Sequence, residues 1–160
     1  MTFEIAPIEK KDHDQVLEIV TEFWGDKTIV VHNDLFHADE LDSLKIVEDK
    51  RIIGILHYRM IGSTCEILTL ASLQENQGIG TALIKVLEKL AREKGCRKLC
   101  LTTTNDNLHA FGFYQRRGFH LAALYPNQLE ISRQIKPAIP EIGLGNIPLR
   151  DELRFEKELA

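Results

Sequence analysis

Cysteine is scarce here, and what there is does not pair by spacing. Cys65, Cys96 and Cys100 are odd in number and form no CxxC. That argues against a disulfide framework or structural zinc, and for reduced thiols as in a cytoplasm. No apolar run approaches the ~20 residues of a membrane span. The start, "MTFEIAPIEKKDH", lacks the basic and apolar regions of a signal peptide. No basic stripe is interleaved with aromatics, so nucleic acid is not an expected partner. His13, His32, His37, His57, His109 and His120 show no ligand spacing, and none of the six is assigned to metal or catalysis. Two phosphate-binding signatures are also missing. GxGxxG starting at Gly78 would need a glycine where Leu83 stands, and GxxxxGK[ST] is not completed either.

What is present is an ordinary globular mix, 44% apolar and 28% charged. The 160 residues suit one domain, 1–160, with a sizeable core. The net charge of −4 hides an asymmetry: residues 1–44 hold 11 Asp/Glu against 3 Lys/Arg. This reads either as a solvated acidic surface or as a face that meets a cationic substrate, with the basic remainder meeting an anionic cofactor.

Periodicity and punctuation place the elements. "TFEIAPIE" has strand character. "DHDQVLEIVTEFWG" is helical through Val16, Ile19, Val20 and Phe23, with Asp12 as the expected N-cap. Residues 26–44 are ambiguous, with "HADELDSL" read as a short second helix. "SLKIVED", "RIIGILHYRM" and "TCEILTLASL" form an antiparallel meander turning at Asp49-Lys50 and Gly62-Ser63. A helix from Thr81 to Lys94 buries Leu83, Val86, Leu87, Leu90 and Ala91. Then come the strand "CRKLCLTTT", the helix "NLHAFGFYQRR", the strand "FHLAALYP", a helix-like "NQLEISRQI", a Pro/Gly-rich connection and a last strand, "ELRFEKEL". A helical crossover joins parallel strands, so an α/β fold with a mixed antiparallel and parallel sheet is predicted. A ligand crevice is expected where two parallel strands splay at their carboxyl ends.

The stretch "QENQGIGTAL" puts Gly78 and Gly80 at the start of a helix. Such a turn leaves N–H groups unpaired at the positive end of the helix dipole, which suits an anion such as phosphate. A plain strand-to-helix turn is the bland alternative.

Two segments in order carry a resemblance. "CEILTLASLQENQGIGTAL" matches Q/R-x-x-G-x-G/A, except that Glu75 takes the Gln/Arg position, flanked by Gln74 and Gln77. "TTTNDNLHAFGFYQRRGF" matches N-x-x-A-x-x-F/L-Y-x-x-x-G-F. Together they resemble the GNAT superfamily of acyl-CoA-dependent N-acyltransferases, and the element order agrees along nearly the whole chain.

The resemblance implies a fold and a site. The N–H groups of Gln77, Gly78, Ile79, Gly80, Thr81 and Ala82 would converge on the pyrophosphate of acetyl-CoA, with a side chain at Gly80 blocking that approach. Leu70, Ala71, Ser72 and Leu73 would bind pantetheine and the thioester oxygen through the backbone. Asn107 and Ala110 would lie beside the cofactor, Asn107 doubling as a helix cap. Tyr114 would protonate the leaving thiolate, although Phe111 and Tyr114 also suit a core face. Glu66 would take the proton of the attacking amine, unless water chains do so and Glu66 is only an exposed strand residue. Trp24, Glu22, Asp26, Asp39 and Glu40 would wall an acceptor pocket, unless Trp24 merely staples its helix to the core. Cys100, with no paired His, reads as a buried structural thiol. The expected activity is direct acetyl transfer to a primary amine. A longer acyl donor, a non-catalytic acyl-CoA-binding module and a fold kept for protein contacts are the rivals. Dimerisation is common in the superfamily, but no residue here decides it.

Overall fold

The computed structural model describes residues 3–75 and 77–159. Among the described residues, nine strands and four α-helices run in the order β1 (Glu4–Ala6), α1 (His13–Trp24), β2 (Thr28–Val31), β3 (Asp34–His37), β4 (Asp42–Glu48), β5 (Arg51–Ile61), β6 (Thr64–Ser72), α2 (Ile79–Glu93), β7 (Lys98–Thr104), α3 (Leu108–Arg116), β8 (His120–Tyr125), α4 (Gln128–Ile135) and β9 (Glu152–Glu158). Seven strands form one mixed sheet in the order β1-β4-β5-β6-β7-β9-β8, and β2 and β3 pair as a separate hairpin. β4, β5 and β6 make the predicted meander, and β6 and β7 are parallel across the α2 crossover. The last strand, β9, inserts antiparallel between β7 and β8.

The sheet is covered on both faces. On one face α2 and α3 bury Leu83, Leu87, Ala110 and Tyr114 against Leu56, Ile67, Leu99 and Phe155. On the other, α1 and the hairpin bury Val20 and Ile29 against Ile55 and Leu68. α2 begins at Ile79, two residues before the predicted start, because Gly78 already adopts the left-handed conformation from which the helix departs.

Two sequence expectations are corrected. The short helix over "HADELDSL" does not form. The β-branched run Thr28–Val31 pairs with Asp34–His37, leaving only a 3₁₀ turn at Ala38–Glu40 before β4. Asp26 starts the hairpin by accepting from the Thr28 N–H at 2.7 Å. Asp12 is not a side-chain cap of α1. It is buried, accepts from the Glu9 N–H at 2.7 Å, and pairs with buried Lys45 at 2.5 Å, so it rivets the helix to β4.

The Pro/Gly-rich connection folds back as a strap. Ile142 bridges Pro148, and Asp106 accepts from the Leu144 N–H at 2.9 Å. Asn105 accepts from the N–H groups of Arg150 and Asp151, both at 3.0 Å. The strap thus lies on the loop between β7 and α3.

Candidate functional site

The sheet opens at one place. β6 pairs with β7 only over Thr64–Ile67 and Lys98–Leu101, after which β7 keeps just its β9 partner. The opening starts where β6 carries an extra residue. The β5–β6 register shifts between His57↔Thr69 and Tyr58↔Ile67, leaving Leu68 unpaired as a bulge. A bulge bends its strand and re-aims it, which turns β6 away from β7.

A side chain holds this bulge. The Thr69 hydroxyl accepts from the His57 N–H at 2.9 Å and lies 2.7 Å from His57 Nδ1. His57 is buried, and burial pushes its imidazole down to about 4, so the ring is neutral near pH 7. Beyond the bulge the Leu73 N–H donates to the Ile53 carbonyl. Antiparallel alternation then turns the backbone groups of Ala71 and Leu73 toward β5, and those of Leu70 and Ser72 toward the open edge. Of the four residues expected to line the cofactor, two therefore offer backbone groups to the crevice.

The glycine turn stands at the carboxyl end of β6. Gly78 has φ +72° and is open to solvent. The Ala82 N–H closes the first helical turn on the Gly78 carbonyl at 2.9 Å. It is spent there, so Ala82, unlike the residues before it in the turn, has no free N–H to offer a ligand. Gly80 has a different reason from the one expected. It is buried, and a Cβ on it would stand 2.9 Å from Cζ of Phe113. The ring of α3 by itself leaves no room for a side chain there.

Arg117 is a functional candidate that sequence reading missed. Its Nε donates to Thr81 Oγ1 at 2.7 Å, and its guanidinium lies 3.7 Å from the Phe113 ring centroid. A permanent cation therefore flanks the first turn of α2, where the helix dipole is also positive. The only sequence signal was a basic pair, Arg116-Arg117, at the end of α3.

Asn107 does cap α3, its Oδ1 accepting from the Ala110 N–H at 3.2 Å. Ala110 is buried one turn before Tyr114 on the same helical face. Tyr114 sits among Phe113, Phe119 and Phe155, with ring centroids 5.1, 5.4 and 6.0 Å away. Burial raises its phenol well above the usual tyrosine range, so it is a neutral hydroxyl.

Glu66 lies on the opposite face, on the floor of a cavity of about 230 Å³ lined also by Arg59, Ile61, Thr64, Cys100 and Arg154. It is buried, and Arg59 Nε donates to its Oε1 at 2.6 Å. Arg59 in turn covers the Phe36 ring of β3. Cys100 is buried as expected, and burial pushes its thiol up to about 11, an inert state.

The tip of the hairpin reaches across this face of the sheet. Its turn residue His32 reaches Glu152, the first residue of β9. The acidic residues expected to wall a pocket lie elsewhere. Asp26 is held at about 2, chiefly by hydrogen bonds from Thr28, and pairs with Lys136. Lys136 Nζ also donates to the Trp24 carbonyl at 2.7 Å. Glu22, Asp39 and Glu40 are exposed. Trp24, Asp26, Asp39 and Glu40 flank the open end of the hairpin, roughly 13 Å along β2 from its tip. Among the described residues no helix is long and apolar enough to cross a membrane.

The acetyltransferase (GNAT) family model matches residues 7–119, spanning the bulged strand, the glycine turn and the Asn107–Tyr114 helix. The chain belongs to the GNAT family. A GNAT-length relative, the uncharacterized protein YdhI of Bacillus subtilis, is 40% identical over 154 residues, 96% of each chain. Among solved structures, the IAA acetyltransferase from Bacillus cereus superposes with a TM-score of 0.74 at 19% identity, covering 98% of this chain and 99% of that one. A GNAT acetyltransferase from Elizabethkingia anophelis with acetyl-CoA bound gives 0.73 at 20% identity, covering 98% and 97%. At these identities the structures establish that the GNAT fold is shared.

Proposed function

We propose that this protein moves an acetyl group from acetyl-CoA to a primary amine in one direct step. The observation that carries the reading is the bulge at Leu68, which opens a crevice between β6 and β7 with the Gly78 turn at its mouth. The pyrophosphate would rest on the N–H groups from Gln77 to Thr81, with Arg117 adding charge. The pantetheine would run along the open edge of β6, and the Leu70 N–H would receive the developing oxyanion. Asn107, which caps α3 through Oδ1, would offer its amide NH₂ to the cofactor. Tyr114, a buried neutral phenol beside Ala110, would hand its proton to the leaving sulfur. The amine would enter from the opposite face, over Glu66 and Arg59.

The test is thiol release from acetyl-CoA across a panel of primary amines, with the acetylated product identified by mass. Release with product mass increased by one acetyl group supports transfer. Tight acetyl-CoA binding with no release for any amine would favour a non-catalytic acyl-CoA-binding module.

A further inference from the structure

One cluster on the acceptor face is left unused by this scheme. Glu152 is 3% exposed, and it is the residue where β9 meets the ends of both β7 and β8, opposite Thr104 and Tyr125. Its carboxylate is gripped twice by one residue 120 positions away. The His32 N–H donates to Oε2 at 3.0 Å, and His32 Nδ1 lies 3.2 Å from Oε1. An ionised carboxylate only accepts, so Nδ1 carries the hydrogen and Nε2 keeps a free lone pair. The imidazole side chain is 40% exposed. Its ring stands edge-on to Tyr125 at 4.4 Å between centroids.

The turn that presents this ring is itself pinned. His32 has φ +57°, an uncommon conformation for a residue other than glycine or asparagine. α4 holds it there, with Gln128 Nε2 donating to the His32 carbonyl at 3.1 Å and to Asn33 Oδ1 at 2.9 Å. Gln128 and Ser132 are buried. A left-handed histidine fixed by a helix, a strand end and a buried carboxylate has little freedom. Such fixing is what a base of defined tautomer needs. Glu66, by contrast, is already engaged by the Arg59 guanidinium.

Resting on the acetyltransferase reading, we propose that His32 Nε2 is the base that takes the proton of the acceptor amine, with Glu152 as its positioning residue. The ammonium gives one proton to Nε2 and becomes a free amine. Its lone pair forms the N–C bond to the thioester carbonyl, and the C–S bond breaks with its electron pair going to sulfur. The second amine proton is lost as the amide forms, balancing the proton that the thiolate receives. The proton on His32 then passes to water. Glu152 fixes the orientation of the imidazole through its bond to Nδ1. Burial raises the Glu152 carboxyl above the usual glutamate range, against the pull of its two bonds from His32. Around the pair stand Tyr125 from β8 and, acting on Glu152, the Glu66 charge from β6, while α4 brings the uncharged Gln128 and Ser132.

The experiment compares wild type, His32→Asn and Glu152→Gln. Acetyl-CoA affinity is measured by calorimetry, and thiol release with methylamine as probe is followed from pH 6 to 9. Asparagine tolerates the left-handed turn, so His32→Asn preserves the hairpin. Glutamine keeps an acceptor for the His32 N–H but offers an NH₂ to Nδ1, which moves the imidazole hydrogen to Nε2. Both variants are expected to bind acetyl-CoA within two-fold of wild type. His32→Asn is expected to lose about 10²-fold in kcat/KM, along with one ionisation in the pH profile. Glu152→Gln is expected to lose about ten-fold, with the ¹⁵N shifts of His32 reporting the reversed tautomer. Wild-type rate and pH profile in His32→Asn would overturn the proposal. So would loss of acetyl-CoA binding in either variant, which would mark a structural role. A wild type that does not bind acetyl-CoA, or that binds it and releases no thiol, would instead overturn the transferase reading beneath it.

Discussion

Gly80 and Phe113 meet where α2 crosses α3, with room for no side chain between them: a Cβ on Gly80 would stand 2.9 Å from Cζ of the ring. The ring cannot swing freely, since the Arg117 guanidinium lies over one face and Tyr114 abuts it edge-on. Gly80→Ala therefore gains up to ~1 kcal/mol of helix propensity but loses more to overpacking, for a net cost of about 1 kcal/mol. In a Phe113→Ala background the same exchange becomes stabilising. Urea unfolding of the four proteins of this cycle measures the change of sign, and additive effects would remove the contact as the reason for the glycine.

Arg117 places a positive charge beside the first turn of α2. Arg117→Gln is expected to weaken acetyl-CoA binding about ten-fold and to flatten its dependence on salt. Calorimetry at two ionic strengths checks both. Unchanged affinity would take Arg117 out of the cofactor site.

Tyr114→Phe leaves the aromatic cluster filled, so stability is expected to change by less than ~1 kcal/mol. Acetyl-CoA affinity should also stay put. The rate of thiol release should fall about 10²-fold, the usual worth of a positioned general acid. A full rate in this variant would confine Tyr114 to the core.

His57 makes stability depend on pH. Its folded value of about 4 lies below the ordinary 6.5, because burial disfavours the charged ring. The unfolded chain thus binds more protons between those values. Stability is complete above pH 6.5, falls as pH drops toward 4, and levels off below, a loss of about 3 kcal/mol at most. Glu152, raised by burial, contributes a slope of opposite sign. The difference between wild type and His57→Gln at pH 7 and pH 5 isolates the histidine. An unchanged slope in the variant would contradict this origin.

Much of this architecture was legible in the chain, for physical reasons. Gly78 is readable because only glycine takes φ +72° cheaply. α2 shows its apolar stripe, and Asn107 is a good cap in any helix. The hairpin at 28–37 was not legible. Its four-residue strands are too short to show a period, and its turn is a left-handed His32, not a glycine. The same blindness hid the Glu152–His32 pair, whose members lie 120 residues apart and meet only because β9 inserts beside β7. Gly80 was noticed, but its contact with Phe113, 33 residues later in the chain, is one that no local pattern reveals.

The most direct test of the cofactor crevice is calorimetric titration of the purified chain with acetyl-CoA, beside Gly78→Ala. Among the described residues, a Cβ on Gly78 would meet nothing within 4 Å, so alanine there strains the turn without striking anything. The expected result is one-to-one binding by wild type and several-fold weaker binding by the variant, from amides tilted off the pyrophosphate. No binding by a folded wild type would contradict the crevice as an acetyl-CoA site, and with it the proposed transfer.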